Sequence, residues 1–136
     1  MTKEEILAME EGRQLDAMIA HEIFGFEVEW DYPPWDIDDR LPKQPFLKSE
    51  PRICLGPMAH PVANTIFNYS TDISAAWLVV EKMFEDGYRE QQFTRCHRTG
   101  VWEAKFGIVD AGFAESFSLP EAICRAALLA KLEEKK

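Results

Sequence analysis

The amino-acid sequence predicts an α+β fold in which helices are layered on a small antiparallel sheet of about three strands. Three observations lead to this class. Residues 69–87 carry apolar side chains at helical spacing, residues 88–117 contain short segments of alternating polarity, and residues 118–132 are helical again. The core order is therefore helix, strand, strand, strand, helix, with an extra helix near the N-terminus.

Length and composition predict one domain over residues 1–136. The apolar fraction of 46% is enough for a hydrophobic core and argues against general disorder. No segment approaches the ~20 apolar residues of a membrane span. The acidic N-terminus lacks the basic and apolar regions of a signal peptide. We therefore expect a soluble, cytoplasmic protein without membrane contact.

The charge is strongly acidic and unevenly distributed. The net charge is −9, and residues 1–30 contain eight acidic and two basic side chains. A chain of this charge is repelled by phosphate backbones, which argues against nucleic-acid binding. The three cysteines are odd in number and widely spaced, a pattern that fits a reducing compartment rather than a disulfide framework.

Two short helices are predicted at the N-terminus. Thr2 and Glu5 have the spacing of a capping box, which would begin a first helix that ends near Met9. A second helix is expected over residues 13–24, where Leu15, Met18, Ile19 and Ile23 form the apolar face and Asp16 and Glu22 face solvent. Gly25 would end it.

Residues 26–69 form a proline-rich loop, since seven of the eight prolines fall here. This density of proline disfavours long regular elements, although short extended pieces are possible at residues 27–30 and 52–55. The loop is either functional or an insertion specific to this chain's family. Its aromatic residues suit protein contacts, and Trp30, Tyr32 and Trp35 are the candidates.

The helix over residues 69–87 is the expected structural anchor. Ser70, Thr71 or Asp72 can cap its first turn, and Gly87 supplies its stop. The predicted core face consists of Ile73, Ala76, Trp77, Val80, Met83 and Phe84.

Three strands and a last helix follow. Residues 88–95 predict an edge strand, residues 101–108 alternate clearly, and residues 109–112 form a hairpin turn before a strand at 113–117. Ser118, Pro120 and Glu121 mark the start of the helix, whose small-residue face (Ala122, Ile123, Ala126, Ala127 and Ala130) would lie on the sheet. Leu128 and Leu132 fall on the other side, so they need cover from this chain or from a second copy in a homodimer.

Two segments resemble a known family. Tyr69-Ser70-Thr71-Asp72-Ile73-Ser74-Ala75-Ala76-Trp77 and Ala122-Ile123-Cys124-Arg125-Ala126-Ala127-Leu128-Leu129-Ala130, together with Leu15-Asp16-Ala17 before Gly25, are similar to the phage ABA sandwich domain family. The resemblance implies a phage or prophage origin and helices layered on a small antiparallel sheet. It implies no catalytic residue.

No catalytic, cofactor or metal site is predicted. Cys54 with His60, and Cys96 with His97, lack the paired spacing of a zinc site. Residues 36–39 resemble the start of a calcium loop but lack its glycine and its final glutamate. The phosphate-loop, nucleophile-elbow and metalloprotease motifs are all missing from the sequence. We therefore expect a protein that is not an enzyme.

The predicted function is a small interaction module that contacts a host or phage protein. The candidate contact residues are Trp30, Tyr32, Trp35, Leu128 and Leu132. One alternative is a nucleic-acid-binding protein, because the element order is that of a double-stranded-RNA-binding domain, although acidic Glu121 stands near the start of the last helix where that domain is basic. Another is an acidic mimic of nucleic acid that inhibits a host protein.

Overall fold

The computed structural model of the chain describes residues 2–9, 12–31, 44–47, 66–107 and 112–134. Within these ranges lie four helices and five strands. In chain order they are α1 (Lys3–Ala8), α2 (Arg13–Glu22), β1 (Val28–Asp31), β2 (Gln44–Leu47), α3 (Ile73–Glu85), β3 (Gln91–Arg95), β4 (Trp102–Phe106), β5 (Phe113–Ser116) and α4 (Leu119–Glu134). The predicted α+β class and the order helix, strand, strand, strand, helix are confirmed.

The three-stranded sheet is an antiparallel meander with the order β3-β4-β5. Its register places Phe93 opposite Ala104, and Ala104 opposite Ala114. Residues that face each other across a ladder lie on one side of the sheet. Ala104, Phe106 and Ala114 are buried on the side that faces the helices. The alternation predicted for residues 101–108 is therefore confirmed over β4.

A second ladder joins β1 and β2, with Val28 opposite Leu47 and Trp30 opposite Pro45. The extended piece predicted at residues 27–30 corresponds to β1. β2 was not predicted, because Pro45 has no N–H to donate to a ladder. A two-stranded ladder leaves one side of each strand free of pairing, which is where proline is tolerated. The extended piece predicted at residues 52–55 lies outside the described residues, as do residues 109–111 of the predicted turn.

The centre of the fold is α4 rather than α3. One side of α4 packs on β4 and β5, and its other sides contact α1, α2 and α3. Its buried residues are Ala122, Ile123, Cys124, Ala126, Ala127, Leu128, Leu129 and Ala130. The expectation that α3 is the structural anchor is therefore corrected. A helix that is apolar on nearly all sides has to be surrounded by other elements.

The two leucines proposed for a homodimer contact lie against this chain's own core. Leu128 is fully buried, and Leu132 is partly buried against the same core. The cover that the sequence left open comes from the chain itself, because α1 and α2 both pack on α4. Leu128 therefore has no exposed surface for a second copy, which corrects its assignment as a contact residue.

The sheet approaches α4 closely at Gly112. A Cβ atom added there would lie 2.4 Å from the backbone oxygen of Phe106 and 2.9 Å from the Cβ of Ala130. Both distances are shorter than a van der Waals contact. A glycine before β5 and an alanine on α4 therefore allow the two elements to pack directly on each other.

The N-terminal elements mostly follow the prediction. Thr2 accepts a hydrogen bond from the backbone of Glu5, and the Glu5 carboxylate accepts one from the backbone of Thr2, each at 3.2 Å. The predicted capping box is thus confirmed. Among the helices of the described residues, none is long and apolar enough to cross a membrane.

Candidate interaction surface

Two buried polar residues, Asp16 and Ser70, join α2 to the segment that precedes α3. Oδ1 of Asp16 accepts hydrogen bonds from the backbone N–H of Ser70 at 2.8 Å and from its hydroxyl group at 2.7 Å. Oδ2 accepts from the guanidinium of Arg13 at 3.2 Å. The prediction that Asp16 faces solvent is wrong, because its side chain is fully buried. Hydrogen bonds from Ser70 and Arg13 take the place of those that water would form with the carboxylate.

Neighbouring groups extend this polar network. The backbone N–H of Gly12 donates to Oγ of Ser70 at 2.9 Å, and Arg13 donates to Oδ1 of Asn68 at 2.7 Å. Burial raises the pKa of Asp16, although the hydrogen bonds from Ser70 and the charge of Arg13 act in the opposite direction. Residues 12–16 thereby fix the position at which α3 can begin.

Helix α3 begins with a cap from Asp72. Its Oδ1 accepts a hydrogen bond from the backbone N–H of Ser74 at 3.0 Å. The sequence left Ser70, Thr71 and Asp72 as equal candidates for this role. Ser70 is used in the network with Asp16 instead, which the sequence does not show because the partner lies 54 residues away.

The apolar side chains of α3 divide into a buried face and an exposed strip. The buried face consists of Ala75, Ala76, Val79, Val80 and Met83. Ile73, Trp77 and Phe84 are exposed by 46%, 49% and 46%. The prediction of one core face was therefore correct for Ala76, Val80 and Met83 and wrong for these three larger residues. We call Ile73, Trp77 and Phe84 the apolar strip.

The apolar strip lies beside β3. The ring centroids of Trp77 and Phe93 are 6.2 Å apart, and Phe93 in turn contacts Phe106 of the core at 5.7 Å. The guanidinium of Arg89 lies 5.1 Å from the ring centroid of Phe84. Gln91 donates a side-chain hydrogen bond to the backbone oxygen of Val80 at 3.0 Å. These contacts hold α3 next to the first strand of the sheet.

β3 is an edge strand, and within the described ranges only β4 pairs with it. The backbone oxygen of Glu90 accepts from Gly107 at 2.7 Å, and the N–H of Cys96 donates to Val101 at 2.8 Å. Ladder hydrogen bonds alternate along an antiparallel strand. The backbone groups of Gln91, Phe93 and Arg95 consequently point away from β4.

The apolar strip and this edge form one continuous surface, because Trp77 contacts Phe93. We call Ile73, Trp77, Phe84, Gln91, Phe93 and Arg95 the β3-edge surface. Sequence reasoning missed it. One signal was available: the apolar residues of α3 cover more of its circumference than one buried face needs, and small residues occupy the part that packs most closely.

The aromatic residues predicted for partner contact are only partly described. Trp30 lies in β1, is 45% exposed, and lines a groove of about 580 Å³ together with Ala17, Met18 and His21 of α2. Tyr32 and Trp35 lie outside the described residues. The structure thus places Trp30 on a side of the chain formed by α2 and β1, and it does not join Trp30 with α4.

The thiols that the structure describes differ in their surroundings. Burial raises the pKa of Cys124 well above its ordinary value, as expected for a small core residue in an alanine-rich helix. Hydrogen bonds from Thr99 lower the pKa of Cys96, which sits at the start of a turn rather than in a strand. Among the described residues, no three His, Cys, Asp or Glu side chains converge as metal ligands. Cys54 and His60 lie outside those residues.

Two basic residues near β3, Arg89 and Arg95, lie close to aromatic rings. Arg89 covers Phe84, and the guanidinium of Arg95 lies 5.6 Å from the ring centroid of Trp102. At the start of α4, Glu121 forms an ion pair with Arg125 at 2.5 Å. Arg89 and Arg95 therefore lie against the aromatic residues that surround β3.

Comparison with known proteins agrees with this fold. The model of the phage ABA sandwich domain matches residues 17–128, which is more than half of the chain. The crystal structure of a phage protein from Bacillus cereus ATCC 14579 is similar, with 26% identity, a TM-score of 0.59, and coverage of 90% of this chain and 93% of that one. No curated protein matches. This chain belongs to the phage ABA sandwich domain family.

Proposed function

We propose that this phage protein is a non-enzymatic interaction module that binds a protein partner through the β3-edge surface. The observation that carries the proposal is the exposure of Ile73, Trp77 and Phe84 on one side of α3, beside an edge of β3 with which no other described segment pairs. A single exposed apolar residue such as Phe117 is ordinary on a protein surface. Several on one helix, next to free backbone groups, are typical of a binding surface.

The chemistry of the surface favours a protein as the partner. An extended segment can pair with the outward backbone groups of β3, as in other proteins that bind by adding a strand. Trp77 and Phe84 would then supply apolar contact area, which aromatic residues do at small entropic cost. The partner is a host or phage protein, and the proposal assigns no reaction to the chain.

The two alternative functions use other parts of the molecule. Nucleic-acid binding would use basic side chains and would weaken steeply as salt is added. Mimicry of nucleic acid would use the acidic residues 1–30 and would require a basic partner. Neither alternative requires contact at Trp77. The position from which the partner can be captured therefore distinguishes the three functions.

Photo-cross-linking in bacterial cells that make the protein tests the proposal. A photoreactive phenylalanine at Trp77 should capture a protein, whereas the same group at Leu78 should not. Leu78 is a matched control because it is 40% exposed on the same helix but points roughly 100° away from Trp77. Equal adducts from both positions, or none from Trp77, would contradict the proposal. Adducts from Glu4 of α1 alone would favour mimicry.

A further inference from the structure

We propose that the partner at the β3-edge surface is a second copy of this chain. Two β3 strands would pair antiparallel about a two-fold axis at Phe93 and join the two sheets into one of six strands. The inference rests on the proposed function, because it names the partner of that same surface. Three features of β3 and α3 carry it.

The first feature is the pattern of backbone groups on β3 that pair with no other segment in the described part of the chain. The backbone groups of Glu90 and Cys96 form hydrogen bonds on the β4 side of the sheet. Because these bonds alternate along the strand, the backbone N–H and C=O groups of Gln91, Phe93 and Arg95 point away from β4. This set is symmetric about Phe93. A two-fold axis there places Phe93 opposite its own copy and Gln91 opposite Arg95 of the second copy. Every outward N–H and C=O group of these residues then has a partner.

The second feature is charge. Arg95 is the one charged residue among the five of β3, and the two-fold axis places it opposite the neutral amide of Gln91. On the other side of the strand, Gln92 lies opposite Thr94. The pairing therefore creates no contact between like charges. Natural edge strands usually prevent such pairing with prolines, inward-pointing charges or bulges, and residues 91–94 contain no proline and no charge.

The third feature is the position of the apolar strip. Trp77 contacts Phe93, the residue at the proposed axis. The two copies of Trp77 consequently approach each other from either side of that axis, and each strip gains cover from the other copy. A C₂ interface of this kind requires a self-complementary surface, which the pairing of β3 and the strip together provide.

Net charge opposes the association and gives it a recognisable salt dependence. Each copy carries a charge of −9, so two copies repel each other at long range. Salt screens this repulsion but has little effect on backbone pairing and apolar contact. We therefore expect sedimentation of the full chain to show a monomer–dimer equilibrium that tightens as salt increases. Electrostatic binding to nucleic acid would weaken instead.

Charge substitutions at Gln91 test the register. Gln91→Glu gives up the side-chain hydrogen bond to the Val80 oxygen and places a carboxylate beside Arg95 of the second copy on each side of the axis, whereas Gln91→Lys keeps a donor for Val80 and places like charges there. We expect the dimer dissociation constant to fall roughly threefold to tenfold with Glu and to rise by a similar factor with Lys. Gln92→Lys, opposite the neutral Thr94, is the matched control and should change it little.

The outcomes separate this inference from the proposed function. A chain that is monomeric at all concentrations, or a dimer that is insensitive to the charge at Gln91, would overturn the inference. In that case, a different protein captured from Trp77 would leave the proposed function standing. No adduct from Trp77 at all would overturn both. An adduct with the mass of two chains, together with opposite effects of Glu and Lys at Gln91, would support both.

Discussion

Helices α3 and α4 are both rich in apolar residues, yet the fold uses them differently. α4 is covered by the sheet on one side and by the other helices elsewhere, and eight of its residues are buried. α3 packs against α4 with its small residues and leaves Ile73, Trp77 and Phe84 half-exposed. An apolar pattern therefore does not by itself show whether a side chain belongs to the core or to a binding surface.

The size of the side chains accounts for the difference. Ala75, Ala76 and Val79 allow α3 to lie close to α4, whereas the larger residues lie beside β3 where the sheet ends. In α4, alanines alternate with larger residues all around the helix, so that several elements can pack on it at once. The large residues of α3 are thus left half-exposed by the described part of the chain, which is where we propose that a partner binds.

The largest effect of a single truncation is expected in α4. Leu128→Ala should lower the free energy of unfolding by about 3 kcal/mol, because it leaves a cavity in a fully buried site. Leu78→Ala, on the exposed side of α3, should change it by less than about 1 kcal/mol. Urea unfolding measures both. Equal losses would mean that the two helices do not differ in burial as the structure shows.

Disrupting the polar network that positions α3 should lower the free energy of unfolding by almost as much. Asp16→Ala removes the acceptor of the buried N–H of Ser70 and should cost about 2–3 kcal/mol. Asp16→Asn keeps an oxygen acceptor of similar shape and should cost less. Thermal unfolding of both variants measures the difference. If the alanine variant were as stable as the parent chain, the network would not be what holds the start of α3.

The raised pKa of Asp16 predicts that the stability of the fold depends on pH. Burial raises its pKa in the folded state, so the folded chain holds this proton up to a higher pH than the unfolded chain does. The contribution of Asp16 to stability is therefore greatest below the ordinary pKa and decreases as pH rises through the raised value. Relative to Asp16→Asn, the parent chain should gain stability from neutral to acidic pH. A relative loss over that interval would contradict the direction of the shift.

A smaller effect is expected where the sheet meets α4. Gly112→Ala places a Cβ atom against the backbone oxygen of Phe106 and the side chain of Ala130, and should cost about 2 kcal/mol. The double variant Gly112→Ala, Ala130→Gly should recover only part of this loss, because the contact with Phe106 remains. Full recovery in urea unfolding would show that the Phe106 oxygen is not in contact, whereas no loss in Gly112→Ala itself would show that the sheet does not approach α4 as closely as described.

Local signals in the sequence were sufficient for most of the elements. The capping box of Thr2 and Glu5, the alternation of β4, and the small-residue face of α4 all depend on spacing within a few residues, and all three are confirmed. β2 was not predicted, since Pro45 argues against a strand unless the pairing partner is known. The proline-rich loop stays a prediction, because most of residues 26–69 lie outside the described ranges.

The β3-edge surface could not be predicted because it depends on contacts between distant segments. The hydrogen bonds between Asp16 and Ser70 cross 54 residues and turn a predicted surface carboxylate into a buried one. The exposure of Trp77 depends on which side of α3 meets α4. Helical periodicity shows which residues share a side of the helix, but it does not show which of two apolar sides packs on α4. Leu128 was assigned to the surface for the same reason, since the cover from α1 and α2 is not encoded locally.

The most direct test concerns the central claim, which is that α3 has one face in the core and another face that is left exposed. The test compares Trp77→Lys with Ala76→Lys by urea unfolding at a protein concentration where association is negligible. Trp77→Lys should change the free energy of unfolding by about 1 kcal/mol or less, because its side chain is half-exposed. Ala76→Lys should cost about 4 kcal/mol or more, since it buries an unpaired charge. Similar, severe losses for both variants would place Trp77 in the core and contradict the account.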